Sequence, residues 1–122
     1  MIELKDCTPG FILKATENGR DEGYHPIVYI GGHSDADFLG AMITTSPYNG
    51  QNIKMEKAHF KDGFDLCYKN SFLVKGRFIK PNKWGPFTKV GELTAEGLKF
   101  VVDQIQDCQN ETFDEYFERG RA

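Results

Sequence analysis

A chain of 122 residues, 39% hydrophobic, 27% charged and with a formal charge of −3, has the size and composition of one globular domain. No run approaches the ~18 apolar residues of a membrane span, and Met1–Asp6 has neither the basic start nor the apolar stretch of a secretory leader. Cys7, Cys67 and Cys108 form no CxxC and no even framework, and His25, His33 and His59 stand far from them, so neither a metal site nor a disulfide scaffold is expected. A reduced, cytoplasmic compartment is the simpler reading.

The chain opens with the punctuation Pro9-Gly10, then a short strand, Phe11–Ala15. Glu17–Gly23 is polar and reads as a loop. Tyr24–Ile30 is β-branched and aromatic and reads as a buried strand, with Pro26 near its start because proline lacks a ladder donor. Gly31–Asp35 reads as a turn, and Phe38–Thr45 as a third strand ended by Ser46-Pro47-Tyr48-Asn49-Gly50. A short strand is expected around Ile53–Met55, a turn at Asp62-Gly63, and a longer strand over Ser71–Lys80 with a bend or bulge at Gly76. Pro81–Pro86 is a loop and Phe87–Gly91 a last extended piece.

The period then changes. Thr94 is a candidate N-cap, and Leu98, Val101, Val102 and Ile105 recur at helical spacing as one apolar face. Thr112-Phe113-Asp114-Glu115 has capping-box spacing, so the tail either continues the helix past Asn110 or starts a second one. Several short strands followed by a helix predict a mostly β (α+β) domain over 1–122: a small barrel over about 8–93 closed by an amphipathic helix over about 95–118.

Charge is unevenly placed. Residues 51–90 carry nine of the fifteen Lys and Arg side chains against three acidic ones, between two acidic ends. A basic middle of this kind attracts a polyanion if it folds into one patch; scattered, the same lysines are ordinary solvated positions. Lys54, Lys80, Lys83 and Trp84 are the candidate RNA-binding residues; Trp84, Tyr48 and Phe87 are aromatics in or beside loops that can stack on unpaired bases, or equally anchor the loops or form part of a dimer surface.

Four stretches, taken in order, resemble the PemK/MazF family of toxin endoribonucleases. Pro9–Leu13 is similar to the family's opening "G-D-I-V" strand, Gly23–Ile30 to its "G-H-R-P-x-L-V-L" run, and Ala41–Ser46 to its "x-P-I-T-S" strand end. Ser71–Ile79 with Lys89–Thr94 is similar to its late strand and its "I-G-x-L-S/T" lead into the helix. The resemblance implies a small SH3-like barrel, a homodimer, an antitoxin partner, no cofactor, and metal-free cleavage of single-stranded RNA by 2′-hydroxyl attack, as in an mRNA interferase.

What it implies for the site falls on four positions. His25 stands at the family's arginine position and Thr44 at its threonine, while Lys75 and Arg77 are nearest to a late-strand arginine and aspartate. An ordinary histidine titrates near ~6.5 and serves as acid or base. A threonine hydroxyl donates one hydrogen bond to a phosphoryl oxygen, and two cations on one strand face can clamp a phosphate. With histidine for arginine and a base for the acid, the alternative is a catalytically degenerate barrel that binds nucleic acid or an extended peptide.

Overall fold

The computed structural model of the chain describes residues 2–15, 26–62, 71–84 and 87–120, with the backbone alone at Ala15, Asn49, Trp84, Phe113, Phe117 and Arg119. The expected Glu17–Gly23 loop, with Tyr24 and His25, lies outside them, as do Gly63, Cys67, Lys69 and Gly85-Pro86. Among the described residues seven strands form one sheet: β1 Phe11–Ala15, β2 Ile27–Ser34, β3 Asp37–Thr44, β4 Ile53–Lys54, β5 Phe72–Pro81, β6 Phe87–Glu92 and β7 Asn110–Glu111. Two α-helices, α1 Ala95–Ile105 and α2 Phe113–Gly120, accompany the sheet among the described residues. None of the helices is long and apolar enough to cross a membrane, among the described residues.

The strand order is β4-β5-β3-β2-β1-β6, antiparallel throughout, with β7 added parallel to β5. The expected closed barrel is therefore corrected to an open sheet. Among the described residues its edge strands, β4 and β6, do not pair. β4 is two residues long and offers too little ladder. The nearest approach to closure is a single bridge, Phe60 to Leu93, with Lys61 N–H donating to the Glu92 carbonyl at 2.9 Å.

Alternation along the strands sorts the side chains onto two faces. Ile12, Val28, Ala41, Ile43 and Leu73 point to one face and pack with Met55, Leu93, Val101 and Ile105. The opposite face carries Met42, Val74 and Phe78, covered by Tyr116 of α2, and farther along Leu13, Ile27, Phe38 and Phe87 under the N-terminal segment. The expected bulge falls within β5. Gly40 faces Phe78 and Met42 faces Val74, so β5 has two more residues than β3 between the same pairs. Gly76 lies in it because the Phe78 ring folds over it: a Cβ there would sit 2.6 Å from a ring carbon.

Thr94 caps α1 as expected, its Oγ1 accepting from Gly97 N–H at 3.0 Å. The helix stops at Ile105, and a reciprocal capping box starts a second one: Thr112 N–H donates to Glu115 Oε1 at 2.9 Å, and Glu115 N–H to Thr112 Oγ1 at 3.1 Å. So the tail does not continue α1. The apolar face is also rotated from the expected one. Gly97, Val101 and Ile105 are buried, Leu98 is half-buried, and Val102 is 40% exposed. The bare Gly97 lets the helix roll toward the turn at Lys57–His59, and that roll takes Val102 out of the core. Val102→Asp is accordingly expected to cost no more than about 1 kcal/mol, the scale of helix propensity and dipole terms. A urea titration checks it; a loss of several kcal/mol would put Val102 back in the core.

Candidate nucleic-acid interface

Thr44, the last residue of β3, lies opposite Phe72 of β5, and Lys54 of β4 faces the same Phe72 from the other side. Residues directly opposite across antiparallel strands share a face, so Thr44, Phe72 and Lys54 form one cross-strand row. The Lys54 ammonium lies 5.0 Å from the Phe72 ring centroid, a cation–π distance. Thr44 is nearly buried, and its Oγ1 accepts from Ser46 N–H at 3.2 Å, which leaves the hydroxyl hydrogen to donate.

Residues 45–52 must carry the chain past this end of β5, because β3 and β4 flank it on opposite sides. The crossing is tied by its own hydrogen bonds. Tyr48 N–H donates to Ser46 Oγ at 3.2 Å and Asn52 Nδ2 to the Ser46 carbonyl at 2.9 Å. Gln51 N–H donates to the Tyr48 carbonyl at 3.0 Å, and Asn52 N–H to the Pro47 carbonyl at 3.2 Å. Tyr48 has φ 47°, in the left-handed region that a bulky residue adopts at a cost of about 1–3 kcal/mol. Its side chain is nevertheless out of the core, with the residue 51% exposed. An aromatic ring is thus held toward solvent on a braced, strained loop beside the Thr44–Phe72–Lys54 row.

The other sequence candidates lie elsewhere. At ~3.3 Å per residue, the eight residues of β3 put its two ends roughly 20–25 Å apart. Lys80, opposite Phe38, and the turn Asn82–Trp84 with Lys83 belong to the far end. Lys83 is exposed there, whereas Lys80 is buried under α2, so its ammonium does not meet a strand laid on the surface. The Trp84 side chain lies outside the described residues. Phe87 is fully buried in the core and cannot stack on a base.

Lys75 is exposed in the bulge of β5. Arg77 turns to the α1 side of the sheet, where its guanidinium donates to the Ile105 carbonyl at 3.1 Å and the Gln106 carbonyl at 2.7 Å. It thereby adds a donor to two carbonyls at the helix end, of which that of Ile105 also accepts from Cys108 N–H at 3.0 Å, and places a cation at the negative end of the helix. Phe78, its neighbour, shares the face of Met42 and Val74, which is also the Thr44 face. Thr44 and Arg77 therefore point to opposite faces, and one phosphoryl group cannot touch both in this arrangement. His25 lies outside the described residues.

The basic middle is also partly neutralised. Lys61 and Lys89 both bind Glu92, and the hydrogen bonds from Lys61 first and Lys89 second hold that carboxyl below the ordinary range. His59 is structural in geometry: its Nδ1 accepts from Glu56 N–H at 3.0 Å, and its ring stacks on Phe100 with centroids 4.3 Å apart. No three His, Cys, Asp or Glu side chains converge on a metal-sized site among the described residues. Sequence reading missed the pairing of His33 with Asp37 across the β2–β3 hairpin. The i,i+4 spacing around Ser34-Asp35 was its available signal.

No protein-family model, no curated protein and no solved structure matches this chain.

Proposed function

We propose that this chain binds single-stranded RNA at the end of the sheet formed by Thr44, Phe72, Lys54 and the Tyr48 loop. The observation that carries the reading is Tyr48. A strained backbone and an outward ring occur together there, which suits a stacking platform for an unpaired base. Lys54 beside it supplies a cation for a phosphate, and Thr44 a hydroxyl donor. The resemblance to PemK/MazF toxins, which rests on the four sequence stretches, favours RNA as the ligand and extends the proposal to a homodimer with an antitoxin partner. It also implies RNA cleavage. The opposite orientations of Thr44 and Arg77 weigh against the quartet His25, Thr44, Lys75 and Arg77 acting on one phosphoryl group, so binding comes first and cleavage is a separate outcome.

The test is fluorescence anisotropy of a labelled single-stranded RNA in chelator, over a series of salt concentrations. Base–aromatic stacking is worth about 1–3 kcal/mol, so Tyr48→Ala should weaken binding by roughly 5- to 150-fold. Lys54→Ala should lower the slope of log K against log salt by about 0.7, the value for one single-strand phosphate contact. No binding at low salt, or wild-type affinity in both variants, would reject the reading and leave peptide binding ahead. Shortened RNA in the same tubes would report cleavage.

A further inference from the structure

The sheet face that carries Thr44 presents one pair of side chains twice. Near one end the Lys54 ammonium lies 5.0 Å from the Phe72 ring centroid, and farther along the Lys80 ammonium lies 5.3 Å from that of Phe78. Phe72 is opposite Thr44 and Phe78 opposite Gly40, so four residues of β3, about 13 Å at ~3.3 Å per residue, separate the two pairs along the face. The first pair meets solvent, with Lys54 exposed and Phe72 half-buried. The second does not: Phe78 is fully buried under α2 and Lys80 is 5% exposed.

What covers the second pair has the chemistry of what the first pair is suited to bind. The Tyr116 ring meets the Phe78 ring edge-on, with centroids 5.3 Å apart, and the charge of Asp114 acts on Lys80. An aromatic ring and an anion thus occupy an aromatic platform and its cation, the places a base and a phosphate take on such a surface. Seating this cover has a cost. The Lys80 ammonium is left 3.5 Å from Met42 Sδ, and burial pushes its pKa down to about 8, a desolvation that Asp114 offsets only in part. α2 has eight residues, too few to hold a helix in water alone, so leaving the sheet also unfolds it. Its tether is the short parallel pairing of Asn110 and Glu111 with Arg77 and Phe78.

We propose that Phe78 and Lys80 form a second subsite for single-stranded nucleic acid, held closed by α2, so that the C-terminal helix inhibits the strand interface of its own chain. The inference rests on the RNA reading for its ligand. Release of Tyr116 and Asp114 frees the ring and the ammonium together, because one helix carries both covering groups. A strand seated at Thr44, Phe72 and Lys54 then extends along the same face, past Met42 and Val74, to the second pair.

The test uses the full chain, a labelled oligouridylate in chelator, and hydrogen exchange read by mass spectrometry. Tyr116→Ala should bind the strand roughly 5-fold or more tightly than wild type, and its slope of log K against log salt should steepen by about 0.7, one added phosphate contact. Lys80→Ala placed in that variant should remove the added slope. In wild type, the amides of α2 should exchange faster than those of β3, and faster again once the strand is bound. Protection of β1 and β3 reports whether Tyr116→Ala is folded; if it is not, Asp114→Asn decides, and should shift affinity the same way. Asp103→Asn, which removes the same charge from α1 on the other face of the sheet, should shift nothing. Wild type that binds, with neither variant tighter and α2 no faster in exchange, would overturn the closed subsite and leave the interface at Tyr48 standing. Binding by a variant but not by wild type would reject the open interface and support the closed one, and binding by none would overturn both.

Discussion

Gly97→Ala should destabilise the fold by about 3 kcal/mol or more, although alanine is the better helix former. Gly97 sits in the first turn of α1, where the helix meets the turn at Lys57–His59. A Cβ there would lie 2.1 Å from the His59 carbonyl oxygen and 2.8 Å from its carbon. Those are backbone atoms, and they are fixed from several sides. The His59 carbonyl accepts from Thr94 N–H at 3.0 Å, Thr94 Oγ1 donates to the Ala58 carbonyl at 2.8 Å, and the His59 ring is stacked on Phe100. Relief requires the helix to move as a body, which opens the packing of Val101 and Ile105. Overpacking typically costs about 1–3 kcal/mol where side chains can yield, and here the obstacle is main chain. The helix-propensity gain of about 1 kcal/mol recovers only part of it. At this size the loss corresponds to a fall in Tm of roughly 10 °C or more. Gly32→Ala is the control, since nothing lies within 4 Å of its added Cβ. A Gly97→Ala variant as stable as wild type in urea would mean that the close approach is not rigid.

The strands were legible because burial imposes alternation, and their positions hold to within a few residues at Phe11–Ala15, Asp37–Thr44 and Phe72–Pro81. Gly31-Gly32 misled because paired glycines read as a turn. In the sheet they face Leu39 and Phe38 with register shifts, and the reversal falls at Asp35-Ala36. Local chemistry was also legible: the Thr94 cap and the Thr112–Glu115 box are set by neighbours in sequence. What was not legible depends on distant partners. Arg77 reads as a surface cation until the end of α1 arrives above it. Lys61 and Lys89 read as part of a basic patch until Glu92 binds both. Closure of the barrel failed for the same reason, since whether two edges meet depends on strand lengths and coiling that periodicity does not encode. Thr44 and Tyr48 were both named from the sequence, but the left-handed φ that holds Tyr48 outward is a property of the crossing loop as a whole.

Lys80→Met should raise stability at neutral pH and flatten its rise at alkaline pH. Lys80 follows Phe78 on the face covered by α2 and is only 5% exposed. Its ammonium lies 3.5 Å from Met42 Sδ and 5.3 Å from the Phe78 ring centroid. Burial pushes its pKa down from 10.5 to about 8, and the charge of Asp114 on α2 opposes that shift without cancelling it. A folded-state value below the unfolded one means that the native chain binds fewer protons between pH 8 and 10.5. Stability then rises with pH across that window, and as pH falls through about 8 the full cost of a buried charge is present. At about 1.36 kcal/mol per pH unit of displacement, that cost at neutral pH is on the order of 3 kcal/mol. Methionine has a similar unbranched length, carries no charge, and suits a surface of Met42, Val74 and Phe78. Other lysines and tyrosines also titrate in the alkaline range, so the quantity to measure is the difference between wild type and variant in urea at pH 7 and pH 10. The variant should be more stable by about 1–3 kcal/mol at pH 7, and the gap should narrow at pH 10. A variant less stable than wild type at pH 7 would show that the contacts to Phe78 and the field of Asp114 outweigh desolvation, and that the amine, not its absence, fastens α2 to the sheet.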